Sequence, residues 1–267
     1  MKPYEAFEQR YNKVAEASAK QFPKECELME ESIVSCFAAF NLVKVSQLDE
    51  HAQSLAALFY RNCIYLSASY HLIRNGMLDP AGNNMRTVFE TIVWQYAYLC
   101  DKEMYGNFRE VGALEEQKLA LLPKKEWSNT KERELENLRR KYGFQKAMKR
   151  LYTKETYEKF FFSQYWMLCQ KSHSSMFGIN YNTPTMQGLT TMDTRPEELR
   201  ANLSALLYLA AENLLCFLNC FADKLPKEKT EPILAFTNKI NRSIPPSLSL
   251  APDTMELPFT ARFRELE

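Results

Sequence analysis

Residues 47–104, QLDEHAQSLAALFYRNCIYLSASYHLIRNGMLDPAGNNMRTVFETIVWQYAYLCDKEM, decide the fold. Two long apolar stretches with almost no glycine flank one short turn. Ser46 and Asp49 have the spacing of a capping box and open the first stretch, which is expected to run as a helix to about Arg74. Asn75 and Gly76 stop it, and Asp79 and Pro80 supply an N-cap and first-turn pair for a second helix running to about Tyr105. So short a link admits only an antiparallel hairpin. Met85, Val88, Phe89, Ile92, Val93, Tyr96, Ala97, Leu99 and Cys100 cover more than half the circumference of the second helix, which is therefore expected at the centre of a bundle. Arg86 and Glu90 sit inside this greasy run, four residues apart, and are predicted to form a buried charge pair on one side of it.

The rest of the chain extends the helical pattern. Only seven glycines occur in 267 residues, which leaves few of the positive-φ positions that β-hairpins and bulges need. An all-α multi-helix bundle of about eight helices follows from the start and stop signals. Further helices are expected over Pro3–Phe22, from Pro23 to about Val43, from Asn107 to Leu122, from Thr130 to Tyr142, and from a cap at Thr153 or Thr156 until the pattern fades near Ser172. A long polar loop then runs to Thr194. Asp193 or Thr194 opens a helix to about Asp223, and a shorter helix follows over Lys227–Asn241. One helical domain over residues 1–241, with its core at 47–223, is thus followed by a Pro-containing tail over 242–267, expected to be extended or partly disordered.

A composition of 46% hydrophobic and 25% charged residues is that of a globular chain with a real core. The net charge of +1 argues against a protein that meets nucleic acid or membrane over its whole surface. Seven cysteines, odd in number and without a C-x-x-C pair, read as reduced core thiols in a cytoplasmic protein. Met1–Gln21 lacks the apolar core of a secretion signal. The most apolar stretch, Leu203–Phe221, is interrupted by Glu212, Asn213 and Asn219, so no membrane span is expected.

Three places carry candidate chemistry. The Arg86–Glu90 pair is either a structural strut between helices or one wall of a polar pocket. Lys171-Ser172-His173-Ser174-Ser175 sets a histidine among hydroxyls at a helix-to-loop junction, where it serves as base, donor or ligand, or as a satisfied structural histidine. Arg139, Arg140, Lys141, Lys146, Lys149 and Arg150 fall in twelve residues without an acid, interleaved with Tyr142 and Phe144. That run is either a phosphate-binding patch for RNA or the solvated face of a helix whose Phe144, Met148 and Leu151 point inward. No G-x-S-x-G elbow supports a serine hydrolase. A dimetal bundle needs Glu-x-x-His pairs, yet Leu48, Ala68 and Gln170 precede the three histidines by three. Cys169 and His173 share a helical face, but two ligands are not a metal site, so no metal and no cofactor is expected.

Asn84-Met85-Arg86-Thr87-Val88-Phe89-Glu90, followed later by Ser172-His173-Ser174-Ser175, resembles uncharacterised prokaryotic helical proteins grouped with the HEPN superfamily, over roughly residues 50–220. In that family an arginine and a glutamate on a central helix precede a serine and a histidine on a later one; Arg86, Glu90, Ser172 and His173 are the matching positions. The resemblance implies a dimeric, cytoplasmic binding or interaction module in a defence or stress response. Better-known members look like metal-independent ribonucleases with an Arg-polar-x-x-x-His motif at the dimer interface, although the positions four to seven before His173 hold no arginine here. In that alternative His173 is the base, Arg86 faces the phosphorane charge and Glu90 orients Arg86.

Overall fold

The computed structural model describes residues 3–160, 165, 168–169, 195–245 and 247–259, and these are helical throughout apart from turns and a C-terminal extended segment. Ten α-helices are described: α1 (Pro3–Gln21), α2 (Pro23–Asn41), α3 (Glu50–Arg74), α4 (Leu78–Cys100), α5 (Lys102–Leu121), α6 (Asn129–Lys141), α7 (Phe144–Leu151), α8 (Lys154–Phe160), α9 (Pro196–Phe221) and α10 (Lys227–Ser243).

The hairpin of α3 and α4 forms as its residues dictate. Gly76 adopts φ 71°, the left-handed geometry that only glycine takes without strain. Its N–H bonds to Ile73 O at 2.9 Å and the Met77 N–H bonds to Leu72 O at 2.9 Å, the paired closure that satisfies a helix's last carbonyls. Two capping expectations shift by a few residues. Asp49 itself caps α3, accepting the Ala52 N–H at 2.8 Å, while Ser46 lies in a short 3-10 turn over Val45–Gln47. Asp79 and Pro80 fall inside the first turn of α4, which begins at Leu78 after Met77.

The expected single helix to Tyr105 is broken. Asp101 turns extended at φ −135° and ψ 102°, and its carboxylate accepts the N–H groups of Glu103 and Met104 at 2.9 and 3.1 Å. A side chain that satisfies two orphan donors starts a new helix, so α5 leaves α4 at this point.

The centre of the bundle is shared by α4, which is buried over most of its length and packs on α3, α5, α7 and α9, and by α9. Every side chain from Leu206 to Asn219 is buried, as a helix enclosed on all sides requires. It packs on α2, α3, α4 and α10, with Phe217 against Phe59 at a ring separation of 4.6 Å. Alone among the described helices it is long and apolar enough to cross a membrane, and 83% of its most apolar window is enclosed by the bundle. Around this core, α7 sits on α4 through Ala147, Met148 and Leu151, and α5 pairs with α6 at the periphery.

The described part of the tail, residues 244–245 and 247–259, is an extended strap laid on its own chain. Tyr152 and Tyr208 donate their hydroxyls to the Leu250 and Leu248 carbonyls at 2.6 and 2.8 Å. Asn219 brackets the Phe259 backbone, giving 3.1 Å and accepting 3.0 Å. Asp253 accepts from the Thr153 N–H and hydroxyl at 2.8 and 2.9 Å.

Candidate functional site

Arg86 and Glu90 lie one turn apart on α4, and Arg86 Nε donates to Glu90 Oε1 at 2.8 Å. Their side chains are 25% and 29% exposed, so the predicted buried pair is partly open to solvent. The reason is its place on the flank of α4: the opposite side, with Met85, Val88, Phe89 and Ile92, faces the core. Tyr165 closes the site. Its hydroxyl donates to Glu90 Oε1 at 2.8 Å and accepts from Arg86 Nη2 at 3.5 Å, while its ring stands 5.7 Å from the guanidinium. Phe89 and Phe144 hold that ring at 5.6 and 5.0 Å, which brings the start of α7 up to the Arg86 site.

The electrostatics follow from these contacts. Desolvation draws the Arg86 guanidinium down, but the hydrogen bond and charge of Glu90 outweigh it and hold its pKa above the usual value. Burial, then the bond to Glu90, pushes the Tyr165 phenol well up, so it remains a donor. Cys169 is close enough to act on both groups. Ser172, His173 and Ser174, the remaining residues of the predicted site, lie outside the described residues.

The basic run meets acids, all but Glu136 from an earlier part of the chain. Arg139 pairs with Glu115 at 2.6 Å, Arg140 with Glu136 at 3.7 Å, and Lys141 with Glu103 at 3.5 Å. Arg150 pairs with the capping Asp101 and with Glu103 at 3.7 Å, and Tyr142 donates to Glu103. Lys149 lies 5.6 Å from the Tyr157 ring, and Lys146 is exposed. The inward face is as expected for Met148 and Leu151, whereas Phe144 is only partly buried. The segment is thus two helices in which α5 and its cap answer Arg139, Lys141 and Arg150, which reduces the field available to a phosphate.

Two polar features of the core carry no signal beyond a polar letter in an apolar run. Asn62 of α3 donates to Gln95 of α4 at 3.1 Å and to Asn213 of α9 at 2.9 Å, and all three are fully buried. Glu212, beside Asn213, is also fully buried, and neither of its carboxyl oxygens has a hydrogen-bond partner. Burial pushes its carboxyl up to about 8, against the Leu250 amide and the Ser249 hydroxyl of the strap, which pull the other way. The sequence marks these residues only as interruptions of apolar stretches.

Among the described residues no group of three or more His, Cys, Asp or Glu side chains is placed to hold a metal ion. His51 is engaged with the Tyr98 carbonyl at 3.0 Å, and the seven cysteines form no disulfide. An open cavity of about 590 Å³ between α2, α9 and α10 is edged by paired charges, Arg200 with Glu25 and Lys239 with Glu31. Large apolar side chains are exposed chiefly on two faces, Val34, Tyr60 and Ile64 on α2 and α3, and Phe108 and Leu119 on α5. No family model, no curated protein and no solved structure matches this chain.

Proposed function

We propose that the protein is a binding and interaction module, a HEPN-like bundle that works as a cytoplasmic homodimer and engages a protein partner in a prokaryotic defence or stress response. The observation that supports this reading is that Arg86, Glu90 and Tyr165 engage one another through hydrogen bonds of 2.8, 2.8 and 3.5 Å. A phosphoryl-transfer centre keeps positive charge in reserve for the charge that develops in the transition state. Here Arg86 is engaged with its neighbours, as are Arg139, Lys141 and Arg150 of the 139–150 run. The exposed apolar groups at Val34, Tyr60 and Ile64 suit a protein contact.

Light scattering and an RNA assay test the reading together. The purified chain is expected at about twice its 31.2 kDa mass, leaving a fluorescent single-stranded RNA intact. A monomer at every concentration removes the dimer from the proposal, and RNA cleavage that disappears in His173→Ala replaces it with the second reading. That reading, a metal-independent ribonuclease, is favoured by one observation. Cys169 lies within electrostatic reach of Arg86, and His173 follows it by four residues in the sequence. His173 then takes the proton of the ribose hydroxyl, with Arg86 set by Glu90 toward the phosphorane.

A further inference from the structure

Tyr208, Glu212 and Asn219 lie four and seven residues apart and so share one face of α9. The strap runs along that face: Tyr208 holds the Leu248 carbonyl at 2.8 Å, and Asn219 holds both backbone groups of Phe259. Glu212 lies between these fastenings, fully buried beneath Ser249 and Leu250, whose hydroxyl and amide act on its carboxyl without reaching full hydrogen-bond geometry. The titratable groups that feel it are Tyr96 from α4, Tyr152 between α7 and α8, and Cys216 one turn further along α9. All three are raised by burial and are neutral at ordinary pH. Among the described residues no lysine, arginine or histidine acts on Glu212. The floor therefore favours a neutral carboxyl, because an ionised one would be enclosed without a counter-charge and with only the Leu250 amide and the Ser249 hydroxyl to offset its burial.

The strap is the element that yields. Helix α9 is gripped by four other helices. The strap is non-helical: Ile244, Leu250 and Pro252 are buried, Leu248, Ala251 and Leu257 pack only partly against the core, and the rest of its hold is hydrogen bonds with Tyr152, Thr153, Tyr208 and Asn219 and from its own Thr254 to Leu151. Segments with few buried apolar contacts open at lower free energy than the core. Opening here admits water to the carboxylate.

We propose that residues 247–259 form a pH-responsive latch, closed over α9 while Glu212 is protonated and lifted away when Glu212 ionises. The latch is separate from the Arg86 face and stands or falls independently of the function proposed above.

Hydrogen exchange followed by mass spectrometry on the full chain tests it, with rates corrected for the intrinsic effect of pH. Between about pH 7 and about pH 9, protection of the amides in residues 247–259 is expected to fall about tenfold, while those of Leu206–Asn219 stay protected. In Glu212→Gln, which keeps the shape of the neutral acid, the strap stays protected at both pH values. Tyr152→Phe, which removes only the bond to Leu250, loosens the strap at both and preserves the step between them. The latch is overturned if strap protection in the parent chain is the same at the two pH values, if Glu212→Gln opens as the parent does, or if α9 loses protection together with the strap. The first and third outcomes are read from the parent alone, so the test survives a variant that fails to fold.

Discussion

Replacing Glu212 by glutamine should abolish a pH dependence of global stability that the parent chain carries. In the unfolded chain this carboxyl titrates near its ordinary 4.5, and in the folded chain at about 8. Across that interval the folded state holds a proton that the unfolded state has released, so stability falls as pH rises. The contribution is fully present below about pH 4.5 and gone above about pH 8. At 1.36 kcal/mol for each pH unit, the whole interval amounts to about 5 kcal/mol, and the span from about pH 5.5 to about pH 7.5 to about 3 kcal/mol. No discount for solvent screening applies, because the side chain is fully buried. Urea unfolding of parent and variant at several pH values in this window measures it. Other titrating groups cancel in the difference between the two proteins, and the buried glutamine amide adds an offset that does not vary with pH. The difference should shift by about 3 kcal/mol, to the parent's disadvantage as pH rises. A difference constant to within about 0.5 kcal/mol would mean that Glu212 is already ionised in the fold, and the reasoning from its burial would fail.

Asp101→Ala strips α5 of its cap and should cost about 1 kcal/mol in thermal or urea unfolding, with fraying detected as faster exchange at Glu103 and Met104. Within the buried amide network, Asn213→Leu alone takes an acceptor from Asn62 and should cost about 1–3 kcal/mol. Replacing Asn62, Gln95 and Asn213 together by apolar residues of similar size should cost less than the sum of the single changes, as stability measurements on the combined and single variants would show.

Helix signals are legible where the information is local. Asn75-Gly76 stops α3 because a left-handed glycine closes a helix from within its own last turn, whatever surrounds it. The break at Asp101 is also local, yet an aspartate between Cys100 and Lys102 looks like any polar helix residue until its carboxylate is seen on the Glu103 and Met104 amides. The Arg86–Glu90 bond is legible from a spacing of four residues on one helix. Its partial exposure is not, since that depends on which elements cover the flank of α4 and on Tyr165, seventy-five residues away, which completes the site. The basic run of 139–150 shows the same limit, because Glu115, Glu103 and Asp101, which answer it, come from the preceding helix and its cap.

By itself, then, the sequence determined that this chain is a bundle of helices, where most of them start and stop, and that Arg86 and Glu90 meet. Those properties rest on glycine scarcity, caps and a period of 3.6, all of which act within a few residues. Only the tertiary structure decided that α9 shares the centre with α4, that Asn62, Gln95 and Asn213 join three helices, and that an acid on α9 lies without a counter-charge beneath the strap. Burial and pairing are properties of segments distant in sequence, and no local pattern records which of them will lie above a given side chain.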